Sequence, residues 1–196
     1  ELRIAGLIEV TPYKSTRVTR LDFDTISQQI YLRNAVECAV MQDYSMICNG
    51  EKLAQLRARN ESLRRLACQD APDPCAFYEL DSRLHECWFL ATGKDQLWQL
   101  IQTAQNSYSR FRMLDLVEAG NFAEIVAEHD LLLDAIARRD AGAIRAECAR
   151  HLYGGVTRLG EELSTKFADY FVPGSHWPAP VTPEQEETAP CTAPPP

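Results

Sequence analysis

Residues 121–159 read NFAEIVAEHDLLLDAIARRDAGAIRAECARHLYGGVTRL. Ile125, Leu132, Leu133 and Ile136 recur at helical spacing, with His129 among them. Ile144, Cys148, Gly155 and Leu159 form a second such stripe, which contains His151. Asp140-Ala141-Gly142 separates the two as a tight turn. The pattern predicts a helix over 121–139 capped by Asn121, then a second helix that fades by about residue 170. His129 and His151 are 22 residues apart, and their midpoint, residue 140, lies in the turn. In an antiparallel pair both imidazoles then stand at one height, roughly 16 Å from the turn at 1.5 Å per residue.

The same period extends upstream. Asp22 or Asp24 can cap a first helix that carries Ile26, Ile30, Val36, Val40 and Ile47 and stops at Asn49-Gly50. A second helix over 51–69 carries Leu53, Leu56, Leu63 and Leu66. Pro72 and Pro74 introduce a third, which ends near Thr92-Gly93. A fourth is expected over 95–116, followed by a break at Gly120-Asn121. The fold class is therefore all-α, an antiparallel bundle of six or seven helices. It is preceded by LIEVTPYKSTRVTR (residues 7–20), whose β-branched residues flank Tyr13-Lys14-Ser15 as in a small hairpin. Residues 1–5 suit the end of a preceding helix. Such a hairpin is not stable alone, so the chain is expected to start inside a larger domain, as its lack of an initiator Met agrees.

Charge divides the chain in three. Its 196 residues carry 20 Lys and Arg against 28 Asp and Glu, a net charge of -8. Residues 1–20 hold four basic and two acidic groups, whereas residues 21–172 and 173–196 are both acidic. Eight of the eleven prolines fall in 173–196, which reads as a disordered tail. An acidic balance argues against nucleic-acid binding by the bundle, leaving only the basic start. No apolar run is long enough to cross a bilayer, and no signal peptide opens the chain, so a cytoplasmic location without membrane contact is expected. The seven cysteines are odd in number and lack CxxC spacing, which suits reduced thiols.

Asp81 and His85 are four apart on the third helix and share a face. Together with His129 and His151 they make three imidazoles and a carboxylate, a donor set for a divalent transition metal: Zn first, with Ni, Mn, Co or Fe as alternatives. Arg33, with Arg110 or Arg112, could join the metal in holding a small anion. The same donors also suit a metal-dependent hydrolase or oxygenase, and a structural dimerisation module with core histidines would need no metal at all.

FYELDSRLHECWFLATGKDQL and AEHDLLLDAIARRDAGAIRAECARHL resemble the ligand-binding FCD domain of FadR-type GntR transcription regulators. The matching elements are Asp81–His85, Gly93-Lys94, Glu128-His129 through Asp140, and His151-Leu152. IYLRNAVE, with Arg33 and Glu37, is similar to the family's first-helix motif. Residues 1–20 look like the end of a recognition helix and the wing of a winged helix–turn–helix. Leu84 stands where the family has Phe, Lys94 where it has Asn, and Ser15 where the wing has glycine. The resemblance implies a metal held by Asp81, His85, His129 and His151, and a small organic acid effector beside Arg33. It also implies a homodimeric regulator, a repressor for instance, that meets operator DNA through the wing, with Arg3, Lys14 and Arg17 as contacts. Most of the winged helix would lie outside these residues, so this chain alone is expected to bind DNA weakly.

Overall fold

The computed structural model describes residues 2–175, so residues 176–196, which include His176, Cys191 and most of the tail expected to be disordered, lie outside the described residues. Two strands, β1 (Ile8–Thr11) and β2 (Ser15–Val18), pair antiparallel with Ile8 opposite Val18 and Thr11 opposite Ser15. Their turn carries Pro12 and then Tyr13 at φ 61°, closed by Lys14 N–H donating to Thr11 O at 3.0 Å. This is the glycine-favouring position of a type II turn. The strained residue is thus Tyr13, and Ser15 is an ordinary strand residue. Just before the hairpin, Leu7 N–H bonds Leu2 O (2.9 Å) and Gly6 N–H bonds Arg3 O (3.2 Å), with Gly6 at φ 70°. That nested pair is the Schellman geometry that closes helix C-termini.

Among the described residues seven α-helices follow: α1 (Phe23–Ile47), α2 (Gly50–Ala67), α3 (Pro74–Ala91), α4 (Asp95–Ala104), α5 (Asn106–Leu114), α6 (Phe122–Arg138) and α7 (Ala141–Leu159). Four begin on side-chain caps that satisfy otherwise orphaned N–H groups: Asp22, Asn49, Asp73 and Asp140. α6 packs along α7, α1 lies on α7, and α2 bridges α6 and α3. Phe77, Leu84, Trp88, Phe111, Ile136 and Ile144 lie in the shared core. The chain end returns to its start: Leu21 N–H bonds Tyr170 O and Val172 N–H bonds Leu21 O, both at 2.8 Å, while Phe171 stacks on Phe23.

Several expectations are corrected. The helix over 95–116 is broken at Gln105, which is buried and accepts from Arg33 Nη1 at 3.1 Å. The new helix start is capped from outside, by Gln29 Oε1 of α1 accepting from Tyr108 N–H at 2.8 Å. A π-helical turn, Asp115–Ala119, ends α5. Asn121 precedes α6 but does not cap it; its Nδ2 donates to Asp115 Oδ1 at 2.7 Å. On α1, Ile47 is exposed, and the buried stripe instead runs through Arg33 and Glu37.

Candidate metal centre

α3, α6 and α7 each bring imidazole to one point. Asp81 and His85 project from α3, His129 from α6 and His151 from α7, and all four are buried. One ligand atom from each falls within 4.8 Å of the others, the one such group of three or more found among the described residues. The spacing argument for His129 and His151 holds, because Asp140 caps α7 at the turn and their ring centroids lie 4.6 Å apart.

Every imidazole is held from behind through Nδ1. His85 Nδ1 meets Glu37 Oε2 at 2.5 Å, His151 Nδ1 meets Glu128 Oε2 at 3.0 Å, and His129 Nδ1 meets Asn60 Oδ1 at 3.1 Å. Asn60 is oriented by its amide, which donates to Val126 O and Asp130 Oδ1. Its oxygen is therefore the acceptor, and His129 Nδ1 carries the proton. With Nδ1 turned to these acceptors, a neutral ring presents Nε2 as a bare lone pair. His85 Nε2 and His151 Nε2 face one another at 3.1 Å, and His129 Nε2 lies 3.3 Å from Asp81 Oδ1. Both His129 Nε2 and Asp81 Oδ1 are buried and make no hydrogen bond among the described residues. In that neutral state the four inward-facing acceptors repel one another unless a cation sits between them. Three nitrogens and a carboxylate oxygen fit a divalent transition metal.

Electrostatics keep the donors in the required state. Burial works against the Asp81 carboxylate, but the Arg112 guanidinium, with Nη1 2.9 Å from Oδ2, holds its pKa well below the usual range. Burial likewise opposes ionised Glu37, yet Arg33 and His85 bring it down to about 2. Burial lowers the pKa of His85 despite Glu37, and lowers that of His151 further with His129 and His85 nearby. Burial raises Glu128, against the pull of Arg158.

The arginines separate. Arg112 touches the cluster directly through Asp81. Arg33 stands one residue behind, paired with Glu37 and lying over the Tyr108 ring at 5.2 Å. Arg110 does not reach the cluster: it donates to Thr19 Oγ1 (3.1 Å) and Thr19 O at the foot of the hairpin. Residues two apart on a helix point to different sides, so Arg110 and Arg112 could not both face the cluster. Arg3, Lys14 and Arg17 are exposed on the N-terminal segment. The sequence reading had no place for Asn60 or Arg158 and gave Glu128 no role. The signal for Asn60 was a lone amide in the stripe Leu56, Asn60, Leu63.

A family model described as the FCD domain matches residues 29–154, which include all four donors. The chain belongs to the FCD domain family. Among proteins similar to this FCD domain is the HTH-type transcriptional repressor RspR of Escherichia coli strain K12. It is 22% identical over 167 residues, 84% of this chain and 72% of that protein. A regulator in an unstable DNA locus of Streptomyces ambofaciens, also HTH-type, is 27% identical over 147 residues, 75% of this chain and 61% of that protein. No described helix is long and apolar enough to cross a membrane, and the six described cysteines are free thiols.

Proposed function

We propose that this FCD domain is the effector-sensing part of a GntR-type transcription regulator of the FadR kind. In this reading a divalent transition metal, zinc first and Ni, Mn, Co or Fe as alternatives, is held by Asp81, His85, His129 and His151. A small organic carboxylate binds beside it and alters the affinity of a homodimer for operator DNA. The observation that carries the reading is the convergence of four buried donor atoms within 4.8 Å, each imidazole backed at Nδ1 by an acceptor. Such a metal supplies a Lewis-acid docking point for a carboxylate oxygen. Arg112 is the guanidinium that touches the cluster and is available to pair with the anion, while Arg33 acts through Glu37 on His85.

The relatives are named as helix–turn–helix regulators, RspR as a repressor, which supports sensing rather than catalysis. The Schellman-closed segment ahead of the hairpin suits a helix end followed by a wing. Exposed Arg3, Lys14 and Arg17 suit phosphate contacts. The test compares the wild type with a His129→Ala plus His151→Ala variant for metal content, and for thermal stability with di- and hydroxycarboxylic acids, with and without chelator. About one divalent ion per wild-type chain and a carboxylate-dependent gain that chelator abolishes are expected. A wild type that holds no stoichiometric metal and gains nothing from added metal would sink the metal reading.

A further inference from the structure

A small cavity opens beside His151, bordered by Tyr108, Arg112, Asp115, Gly155 and Arg158. Two cations line it, and each keeps a buried N–H without a partner among the described residues: Arg112 Nη2 and Arg158 Nε. Arg112 is almost wholly buried and already spends Nη1 on Asp81. Two unused guanidinium donors beside one space call for an anion with two acceptor oxygens. As it stands, however, the cavity has room for about one water molecule.

Arg158 is what fills the border. Its Nη1 donates to Glu128 Oε1 at 2.5 Å, and its Nη2 donates to Asp115 Oδ2 at 2.8 Å. Glu128 is the group that holds the His151 ring. Asp115 is the first residue of the π-helical turn, and its other oxygen takes the Asn121 amide. One guanidinium thus ties the back of a cluster imidazole to the turn between α5 and α6. Two glycines give it space on α7: a Cβ at Gly154 would fall 2.6 Å from Arg158 Nη1, and one at Gly155 would fall 3.2 Å from Asp115 Oδ2.

We propose that Arg158 is the gate of this cavity and, with Arg112, its anion anchor: a small carboxylate enters by displacing Asp115 from the Arg158 guanidinium and so releases the Asp115–Ala119 turn. The exchange replaces one carboxylate on Arg158 by another, so no unpaired charge is left on that guanidinium. The proposal rests on the reading of the cluster as a metal-assisted carboxylate site, and it adds the residue that admits the ligand and the element that responds.

Cobalt(II) loaded into the full chain gives an absorption band that reads metal binding separately from anion binding. Sodium acetate is titrated at constant ionic strength into wild type, Asp115→Asn and Arg158→Met, with amide exchange of residues 115–121 followed in parallel. Acetate is expected to bind Asp115→Asn at least threefold more tightly than wild type and Arg158→Met at least tenfold more weakly. Acetate should speed exchange of 115–121 in wild type, and Asp115→Asn should show that faster exchange without acetate. Inorganic phosphate runs as a second arm, and a response to phosphate but not acetate overturns a carboxylate as occupant. Equal acetate affinity within twofold in all three proteins, with unchanged exchange, overturns the gate while leaving the carboxylate reading intact. Failure to bind cobalt counts against the metal reading alone. The exchange response, measured in chelator, then decides the gate, and no response to either anion overturns it.

Discussion

Asn60 orients His129 through one hydrogen bond whose direction is set by the two others the amide makes. Replacing it by Ala leaves the His129 Nδ1–H without its acceptor and lets the ring turn or change tautomer. Outer partners of metal-bound imidazoles typically account for about 10- to 100-fold in affinity. Asn60→Ala is therefore expected to weaken zinc binding by about that factor, measured by competition with a chromogenic chelator, while circular dichroism stays helical. Glu37→Gln should do more harm to folding, because it also leaves buried Arg33 without its counter-charge; loss of one partner from a buried pair costs about 3–5 kcal/mol. Asn60 was readable only as a polar interruption of an apolar stripe, and Glu37 only as part of the first-helix resemblance with Arg33, without its tie to His85. Their roles depend on α2 and α3 meeting α6 and α1, which no local pattern encodes.

The α6–α7 turn decides whether two of the cluster imidazoles stand level. Arg139 there takes φ 54°, in the left-handed region, and the chain closes with Asp140 N–H on Ala135 O and Arg139 N–H on Ile136 O. A side chain in that conformation costs about 1–2 kcal/mol; glycine removes that strain, and the gain is partly offset by the larger backbone entropy glycine loses on folding. Arg139→Gly is expected to raise unfolding stability by about 0.5–1 kcal/mol in a denaturant titration and leave metal content unchanged. Helix positions were largely legible, since apolar residues recur at helical spacing between the breaks at Asn49-Gly50, Pro72 and Pro74, and Asp140-Ala141-Gly142, although the capping by Asn49, Asp73 and Asp140 emerges only in the structure. The break at Gln105 was not. It depends on Gln29, far along the chain, capping α5, and on Arg33 drawing the Gln105 side chain inward. The four-donor cluster was legible because helical period places one imidazole per stripe, whereas the Arg158 bridge draws on two further elements.

Across the molecule, proton uptake by buried groups sets the pH range of the fold. His85 and His151 have folded pKa values below their ordinary 6.5, so the unfolded chain takes up protons first as pH falls. Stability of the metal-free chain should therefore begin to drop below about pH 6.5. Glu37, held at about 2 against an ordinary 4.5, adds stability that is fully present above about 4.5 and is lost as pH falls toward 2. Thermal melts of stripped protein from pH 8 to 3 are expected to show a decline in two stages, and a rise in melting temperature between pH 7 and 5 would contradict it. Zinc at a hundred times its dissociation constant should add about 2.7 kcal/mol at neutral pH.

The placement of His129 and His151 about Asp140 also bears on the order of assembly. Their helices form a hairpin of neighbouring sequence, which closes with little loop entropy and on a fast timescale. Asp81 and His85 must arrive from 44 or more residues away in sequence. Half of the cluster therefore belongs to one sequence-local helical hairpin, and the other half closes only as α3 docks.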